Sequence, residues 1–175
     1  MIQRFVLTGT AFAGKTTTLT ALAHRGFAII PEAARALIEE AIISGSQILP
    51  WIDIDAFLDS LLERQLELEF RIRSQTVFID RGIPDELAYF KLLDKPVFPE
   101  YLKAFQTNRY DKIFLLETLP GYQIDEVRKE PLEMVQRLRI LHEKSYQELG
   151  YEVIIVPVMP VEDRVNYILS RVENA

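Results

Sequence analysis

The stretch Gly9-Thr10-Ala11-Phe12-Ala13-Gly14-Lys15-Thr16 restricts this chain more than any other. It matches G-x-x-x-x-G-K-[ST] at every fixed position. Such a stretch belongs between the end of a strand and the start of a helix, and both flanks agree. Phe5-Val6-Leu7 is an apolar run that reads as a buried strand, and Thr17 to His24 carries Leu19, Leu22 and Ala23 at helical spacing. Gly9 and Gly14 admit backbone angles closed to other residues, so successive N–H groups can turn inward toward phosphate oxygens. The positive end of the following helix adds to that field. Lys15 can reach the β- and γ-phosphates, and the Thr16 hydroxyl can ligate magnesium. Gly9 through Thr17 are therefore the expected nucleotide-binding residues.

The remaining strands and helices extend this unit. Phe27 to Ile30, Thr76 to Asp80, Lys112 to Leu116 and Val153 to Val156 are short apolar runs that read as strands. Helices are expected from Pro31 to about Ser44, with Pro near the first helical position, and from about Asp53 to Arg73. Others are expected from Glu86 to Leu93, up to about Thr107, from Pro131 to Leu149 and from Val161 to Val172. Gly26 and Gly150 read as helix stops. Strands alternating with helices imply a parallel sheet covered on both faces. The 175 residues, 49% of them hydrophobic, suit a single domain, residues 1–175, with one substantial core.

Charge and composition narrow the function. A net charge of −6 and a pI near 5.1 oppose general binding to nucleic acid or to anionic membranes. With no cysteine, disulfides, zinc–thiolate sites and thiol nucleophiles are excluded, which fits a reducing compartment. The first strand starts at about Ile2, leaving no room for a secretory signal, and no apolar run approaches a membrane span. A cytoplasmic protein is expected; its oligomeric state has no signature here.

Ligands of such sheets bind beyond the carboxyl ends of the strands. Glu32 follows the second strand, and Asp80-Arg81 follow the third. Asp80 can hold magnesium or accept a proton from an attacking hydroxyl. Arg81 can clamp phosphate, or pair with a neighbour such as Asp85. Glu32 is either a base or second metal ligand, or an acid placed at a helix start for the dipole. Arg35, three residues on, can pair with Glu32 or with substrate phosphate. Gln65 falls in the apolar row of Ile54, Phe57, Leu58, Leu61, Leu68 and Ile72, so its amide either caps a core group or enters a ligand cleft. Thr118 to Glu130 reads as a lid that excludes water, with Arg128 as its best phosphate-facing cation and Lys129 behind it. His24 reads as a dipole-compensating helix end, and His142 as a bland residue of a charged helix. Asn108-Arg109-Tyr110-Asp111 differs from the guanine-reading N-K-x-D motif in its second residue and precedes a strand, so it is set aside.

These residues, in this order, resemble a family. Gly9 to Thr16, Pro31-Glu32-Ala33-Ala34-Arg35, Leu62-Glu63-Arg64-Gln65, Asp80-Arg81-Gly82 with Pro84-Asp85, then Tyr122, Asp125, Arg128 and Leu141-His142-Glu143 are similar to the compact P-loop ATPases and kinases called AAA-type ATPase domain 28. That family is related to the nicotinamide riboside kinase domain of NadR. The resemblance implies a nucleoside-kinase-like three-layer α/β/α fold with parallel strand order 2-3-1-4-5. It implies Glu32 as base, Asp80-Arg81 on phosphate and metal, and Gln65 reading a base. The lid here carries one clear arginine. The implied activity is magnesium-dependent transfer of the γ-phosphoryl group of ATP (or GTP) to a small nucleoside-, nucleotide- or vitamin-like acceptor. A hydrolysing regulatory switch and a non-catalytic nucleotide-binding module are the rival readings.

Overall fold

Each apolar run alternates its side chains between two faces, and each face needs a helical cover. The computed structural model describes residues 2–120 and 132–172. Its elements are β1 (Gln3–Thr8), α1 (Lys15–His24), β2 (Ala28–Ile30), α2 (Ala33–Ser44), α3 (Ile54–Phe70) and β3 (Thr76–Asp80). Then come α4 (Asp85–Leu92), α5 (Pro99–Thr107), β4 (Lys112–Leu116), α6 (Leu132–Glu148), β5 (Val153–Val156) and α7 (Val161–Val172).

The five strands form one sheet, order β2-β3-β1-β4-β5, with every neighbouring pair parallel. This is the order implied by the resemblance. Phe5 and Leu7 of β1 face α1 and α7, in a core with Leu19, Leu22, Phe78, Phe114, Val165 and Ile168. Val6 faces the other way, with Val77, Ile79, Ile113 and Tyr146. A second layer of α3, α4 and α5 packs around Leu58, Phe90, Tyr101 and Phe105. Among the described residues no helix is long and apolar enough to cross a membrane.

The register positions the functional corners. β1 pairs Leu7 with Asp80 of β3 on one side and with Phe114 of β4 on the other. The chain therefore leaves β1 and β3 side by side, and their following loops share one edge of the sheet.

Several element boundaries differ from the sequence reading, among them the start of β2, at Ala28 and not Phe27, and three helix ends. Helix α1 begins at Lys15, two residues before Thr17, with Gly14 as N-cap at φ 77°, so Lys15 and Thr16 belong to the first helical turn. Helix α2 begins at Ala33, leaving Pro31 outside and Glu32 at the N-cap. Helix α3 ends at Phe70, because the chain turns there to bury Ile72 against the sheet.

Candidate functional site

The β1–α1 loop forms the first corner. Gly9 has φ 135°, and a Cβ there would stand 2.7 Å from the Leu116 carbonyl oxygen of β4, so only glycine lets the loop pass this close. Phe12 adopts φ 66°, a left-handed angle in a residue with a side chain. Its carbonyl accepts from the Leu119 N–H at 3.1 Å, and the Thr10 and Thr118 hydroxyls bond at 2.8 Å. The start of the expected lid thus lies along the loop. Ala13 is buried; its N–H donates to the Thr10 carbonyl at 3.4 Å. Lys15 folds back over the loop, donating from Nζ to the Gly9 and Thr10 carbonyls, both at 3.0 Å. Burial, with Arg81 adding to it, lowers the Lys15 pKa to about 8; Asp80, Glu32 and Asp85 oppose the shift. The Thr16 and Thr17 side chains are exposed in the first turn.

The β3–α4 turn forms the second corner. Asp80 ends β3 and is 2% exposed. Among the described residues its Oδ1 finds no hydrogen-bond partner. Burial pushes its pKa up to about 6, although Lys15 pulls the other way. Arg81 follows at φ 67°, a strained angle that the surroundings enforce. Gln65 Nε2 donates to the Arg81 carbonyl at 3.3 Å. The Gly82 N–H donates to Asp85 Oδ2 at 3.0 Å and to the Tyr146 hydroxyl at 3.2 Å. The Ile83 N–H donates to the Tyr110 hydroxyl at 3.0 Å. A Cβ on Gly82 would come within 2.9 Å of the Tyr110 ring, so the turn admits no side chain there.

The clamp aims the Arg81 guanidinium. Nε donates to Glu32 Oε1 at 2.9 Å, and Nη1 lies 3.5 Å from Asp85 Oδ1 and 3.4 Å from His142 Nε2. Glu32 makes no capping bond at its own helix start, so its carboxylate goes to Arg81 instead. Burial raises the Glu32 pKa, but Arg81, Lys15 and Arg35 outweigh it and hold the carboxyl below its ordinary range. Arg35 is exposed on α2 and acts on Glu32 through its charge.

Arg81 pairs with Glu32 at 2.9 Å and with Asp85 at 3.5 Å, and the Lys15 and Asp80 pKa values are each shifted by the other's charge and by those of Glu32 and Arg81. The register that sets Leu7 beside Asp80 and the ion pairs of Arg81 bring these groups to one edge of the sheet. The loop and the acids after β2 and β3 therefore gather in one cluster. Gln65 joins it indirectly. Its amide N–H group is engaged by Glu69 Oε1 at 2.9 Å and by the Arg81 carbonyl, within the protein. Glu69 in turn accepts from the Tyr110 hydroxyl at 2.7 Å. Arg128 and Lys129 lie outside the described residues, as does the rest of the expected lid beyond Pro120.

The sequence reading named Asp85 only as a possible partner for Arg81, which the structure places at 3.5 Å, and it missed Tyr146 and the burial of His142. Asp85 is fully buried and accepts from the Thr8 hydroxyl and the Tyr146 hydroxyl, each at 2.5 Å. Tyr146 is fully buried too. His142 is not bland: it is fully buried, with Nδ1 3.2 Å from Asp85 Oδ1 and Nε2 near Arg81. Burial lowers its pKa to about 4, aided by Arg81 and Lys15 and opposed by Asp85, so the ring is neutral at pH 7. A signal for these was present. Val135, Leu138, His142, Ser145 and Tyr146 form the buried stripe of α6, and the histidine continues its helical period. The charges on the opposite face of the helix masked that row.

A cation has a partial home here. Among the described residues no group of three or more His, Cys, Asp or Glu side chains forms a metal cage. The unpartnered Asp80 Oδ1 and the exposed Thr16 hydroxyl instead suit an ion completed by phosphate oxygens, as magnesium prefers.

Solved structures share this fold. A deoxyadenosine kinase from M. mycoides, with products dCMP and a flexible dCDP bound, aligns over 99% of this chain and 100% of its own, at TM-score 0.66 and 16% identity. Thymidylate kinase from Candida albicans aligns over 99% of this chain and 92% of its own, at TM-score 0.67 and 13% identity. NadR protein in complex with NAD and AMP-PNP aligns over 99% of this chain at TM-score 0.71 and 19% identity. This chain spans about half of that NadR protein, 49%. No curated protein matches the sequence significantly. The fold is thus that of the P-loop nucleoside and nucleotide kinases. The profile of the AAA domain family AAA_28 matches residues 4–164, nearly the whole chain, and the protein belongs to that family.

Proposed function

We propose that this protein is a cytoplasmic small-molecule kinase that transfers the γ-phosphoryl group of ATP to a hydroxyl or phosphate of a nucleoside-, nucleotide- or vitamin-like acceptor. The observation that carries this reading is the convergence of Lys15 and the loop amides with Glu32, Asp80 and Arg81 at one edge of the sheet. A loop for polyphosphate alone fits any nucleotide binder. A buried ionised acid and a clamped arginine beside it fit phosphoryl transfer, which needs positioning and charge neutralisation more than covalent chemistry.

The roles follow from the environments. The amides of Gly9 to Thr17 and the Lys15 ammonium hold the donor phosphates. Lys15 gives up its bonds to the Gly9 and Thr10 carbonyls as phosphate oxygens replace them. Arg81, oriented by Glu32, stabilises charge on the transferring group, as Arg128 does from the lid at 118–130. Thr16 and Asp80 would hold a magnesium ion, which supplies further neutralisation of the phosphates. Glu32, kept ionised by Arg81 and Lys15, accepts the proton of an acceptor hydroxyl. Arg35 and Gln65 border the acceptor side, Gln65 by fixing the Arg81 carbonyl. Among the solved structures that share the fold, kinases of nucleosides and nucleotides and a NadR protein with NAD bound support an acceptor of that size.

The test is ADP release with Mg·ATP or Mg·GTP against nucleosides, nucleotides and vitamins, with a control lacking acceptor. Acceptor-dependent ADP is expected. Equal ADP without acceptor points to a hydrolytic switch, and tight ATP binding with no ADP points to a binding module; either result overturns the kinase reading.

A further inference from the structure

Arg164 is a buried charge among the described residues that the cluster does not account for. It stands in the first turn of α7, 3% exposed, in the helix stripe with Val165 and Ile168 that covers the core. Every hydrogen bond it makes among the described residues goes to an uncharged oxygen. Nη1 donates to the Ala13 and Gly14 carbonyls, both at 3.4 Å, and to the Thr18 hydroxyl at 3.2 Å. Nη2 donates to the Met159 carbonyl at 3.1 Å. Burial alone lowers its pKa, with no acid among the causes. Desolvating a cation without a counter-charge is costly, so an α-helix core position has a better occupant unless the charge is used.

Its contacts say how. All peptide bonds described are trans. In a trans peptide, the carbonyl of one residue and the N–H of the next point in opposite directions. Drawing the Ala13 and Gly14 carbonyls toward Arg164 therefore aims the N–H groups of Gly14 and Lys15 away from it. The Gly14 carbonyl also accepts from the Thr18 N–H at 3.1 Å, so it points along α1, and the Lys15 N–H points out of the helix start. A Cβ on Gly14 would stand 2.5 Å from Arg164 Nη1. The second glycine of the motif thus admits this guanidinium, besides supplying a left-handed angle.

We propose that Arg164 is a positioning residue of the phosphate cradle. It braces the loop carbonyls from behind so that the amides face forward, and a bound polyphosphate supplies the counter-charge that the buried guanidinium lacks. Its ligand class is the phosphate chain of the nucleotide and not the base. This inference rests on reading the loop as a nucleotide site.

Calorimetric titration of wild type, R164K and R164Q with Mg·ATP, Mg·tripolyphosphate and adenosine tests it. R164Q is expected to weaken ATP and tripolyphosphate alike by about tenfold or more, with adenosine unchanged. R164K keeps the charge but loses the fork, and its affinities are expected between the two. Tripolyphosphate is also expected to raise the Tm of wild type more than that of R164Q. Wild-type affinity for tripolyphosphate in both variants overturns the proposal, and so does a loss confined to adenosine, which puts Arg164 at the base. Should R164Q not fold, R164K decides, since wild-type tripolyphosphate affinity there overturns the brace. If wild type itself binds neither ATP nor tripolyphosphate, the reading of the loop fails, a result distinct from failure of the brace.

Discussion

Two corners of the cluster do related work and are built in opposite ways. The β1–α1 loop is a backbone device: its donors are peptide N–H groups, and its shape depends on glycine angles and on strand-to-helix continuity. The β3–α4 turn is a side-chain device. Gln65 from α3, Asp85 from α4, Tyr110 before β4 and Tyr146 from α6 hold two consecutive peptide groups. A backbone device is encoded in adjacent residues. A clamped turn is encoded in residues scattered along the chain, each of which looks ordinary by itself. The first corner, and Asp80 whose Oδ1 is unpartnered among the described residues, should therefore fail through loss of ligand contacts with the fold intact, whereas the clamp around the Arg81–Ile83 turn should lose stability and function together.

Lys15→Ala sharpens the contrast most. It is expected to abolish turnover, by at least about a hundredfold, while the melting temperature stays near or above that of wild type. The Lys15 ammonium is buried, and its removal relieves a desolvation cost. Steady-state ADP release and thermal denaturation measure the two halves. A large loss of stability would erase the distinction between the corners.

Asp80→Asn is expected to lower turnover severely, on the order of a hundredfold, again with little loss of folding. Asp80 Oδ1 has no partner among the described residues to lose. Near-normal rates would shift the metal role to Glu32, and Glu32→Gln in the same assay separates the two.

Tyr146→Phe and Gly82→Ala probe the second corner. Tyr146→Phe takes a donor from Asp85 and an acceptor from the Gly82 N–H, costing about 1–3 kcal/mol of stability. Gly82→Ala drives a methyl against Tyr110 and Tyr146, costing a similar 1–3 kcal/mol or about that. Both are expected to lower kcat more than they raise KM for ATP, because Arg81 is mis-aimed while the loop is untouched. A variant that loses stability with unchanged kcat would make the clamp purely architectural.

The smallest expected effect is on pH dependence. His142 has its folded pKa depressed from 6.5 to about 4, so its contribution to stability is present above pH 6.5 and is lost as pH falls toward 4. Asp80 has its folded pKa raised from 3.8 to about 6, so its contribution is present below 3.8 and is lost as pH rises toward 6. The two slopes oppose each other between about pH 4 and 6, so in wild type Asp80 offsets part of the destabilisation that His142 causes on acidification. In Asp80→Asn the opposing Asp80 slope is gone, so stability should fall more steeply on acidification than in wild type. Urea denaturation across that range measures it.

Much of this molecule was legible in its residues. The five apolar runs, the strand order implied by the family resemblance, and the glycine loop all appear in the structure. Loop and strand ends were readable because their causes are local: period, glycine angles, and an acid at the end of an apolar run. His142 and Asp85 were not, because their burial depends on α6 packing against α4 over the β3 turn. Arg164 was hidden for the same reason: a charged residue in an amphipathic helix reads as surface until the helix is docked on α1. Gln65 was readable as an anomaly on an apolar stripe, but its partners, Glu69 and the Arg81 carbonyl, needed the fold.

The central claim is that both corners form one site, and a double-mutant cycle in kcat/KM tests it most directly. Lys15→Ala and Asp80→Asn, combined, are expected to lose little more than the worse single variant, since each already disables the shared chemistry. Losses that multiply across the two substitutions would mean that the loop and the acid act independently, and would contradict a single site.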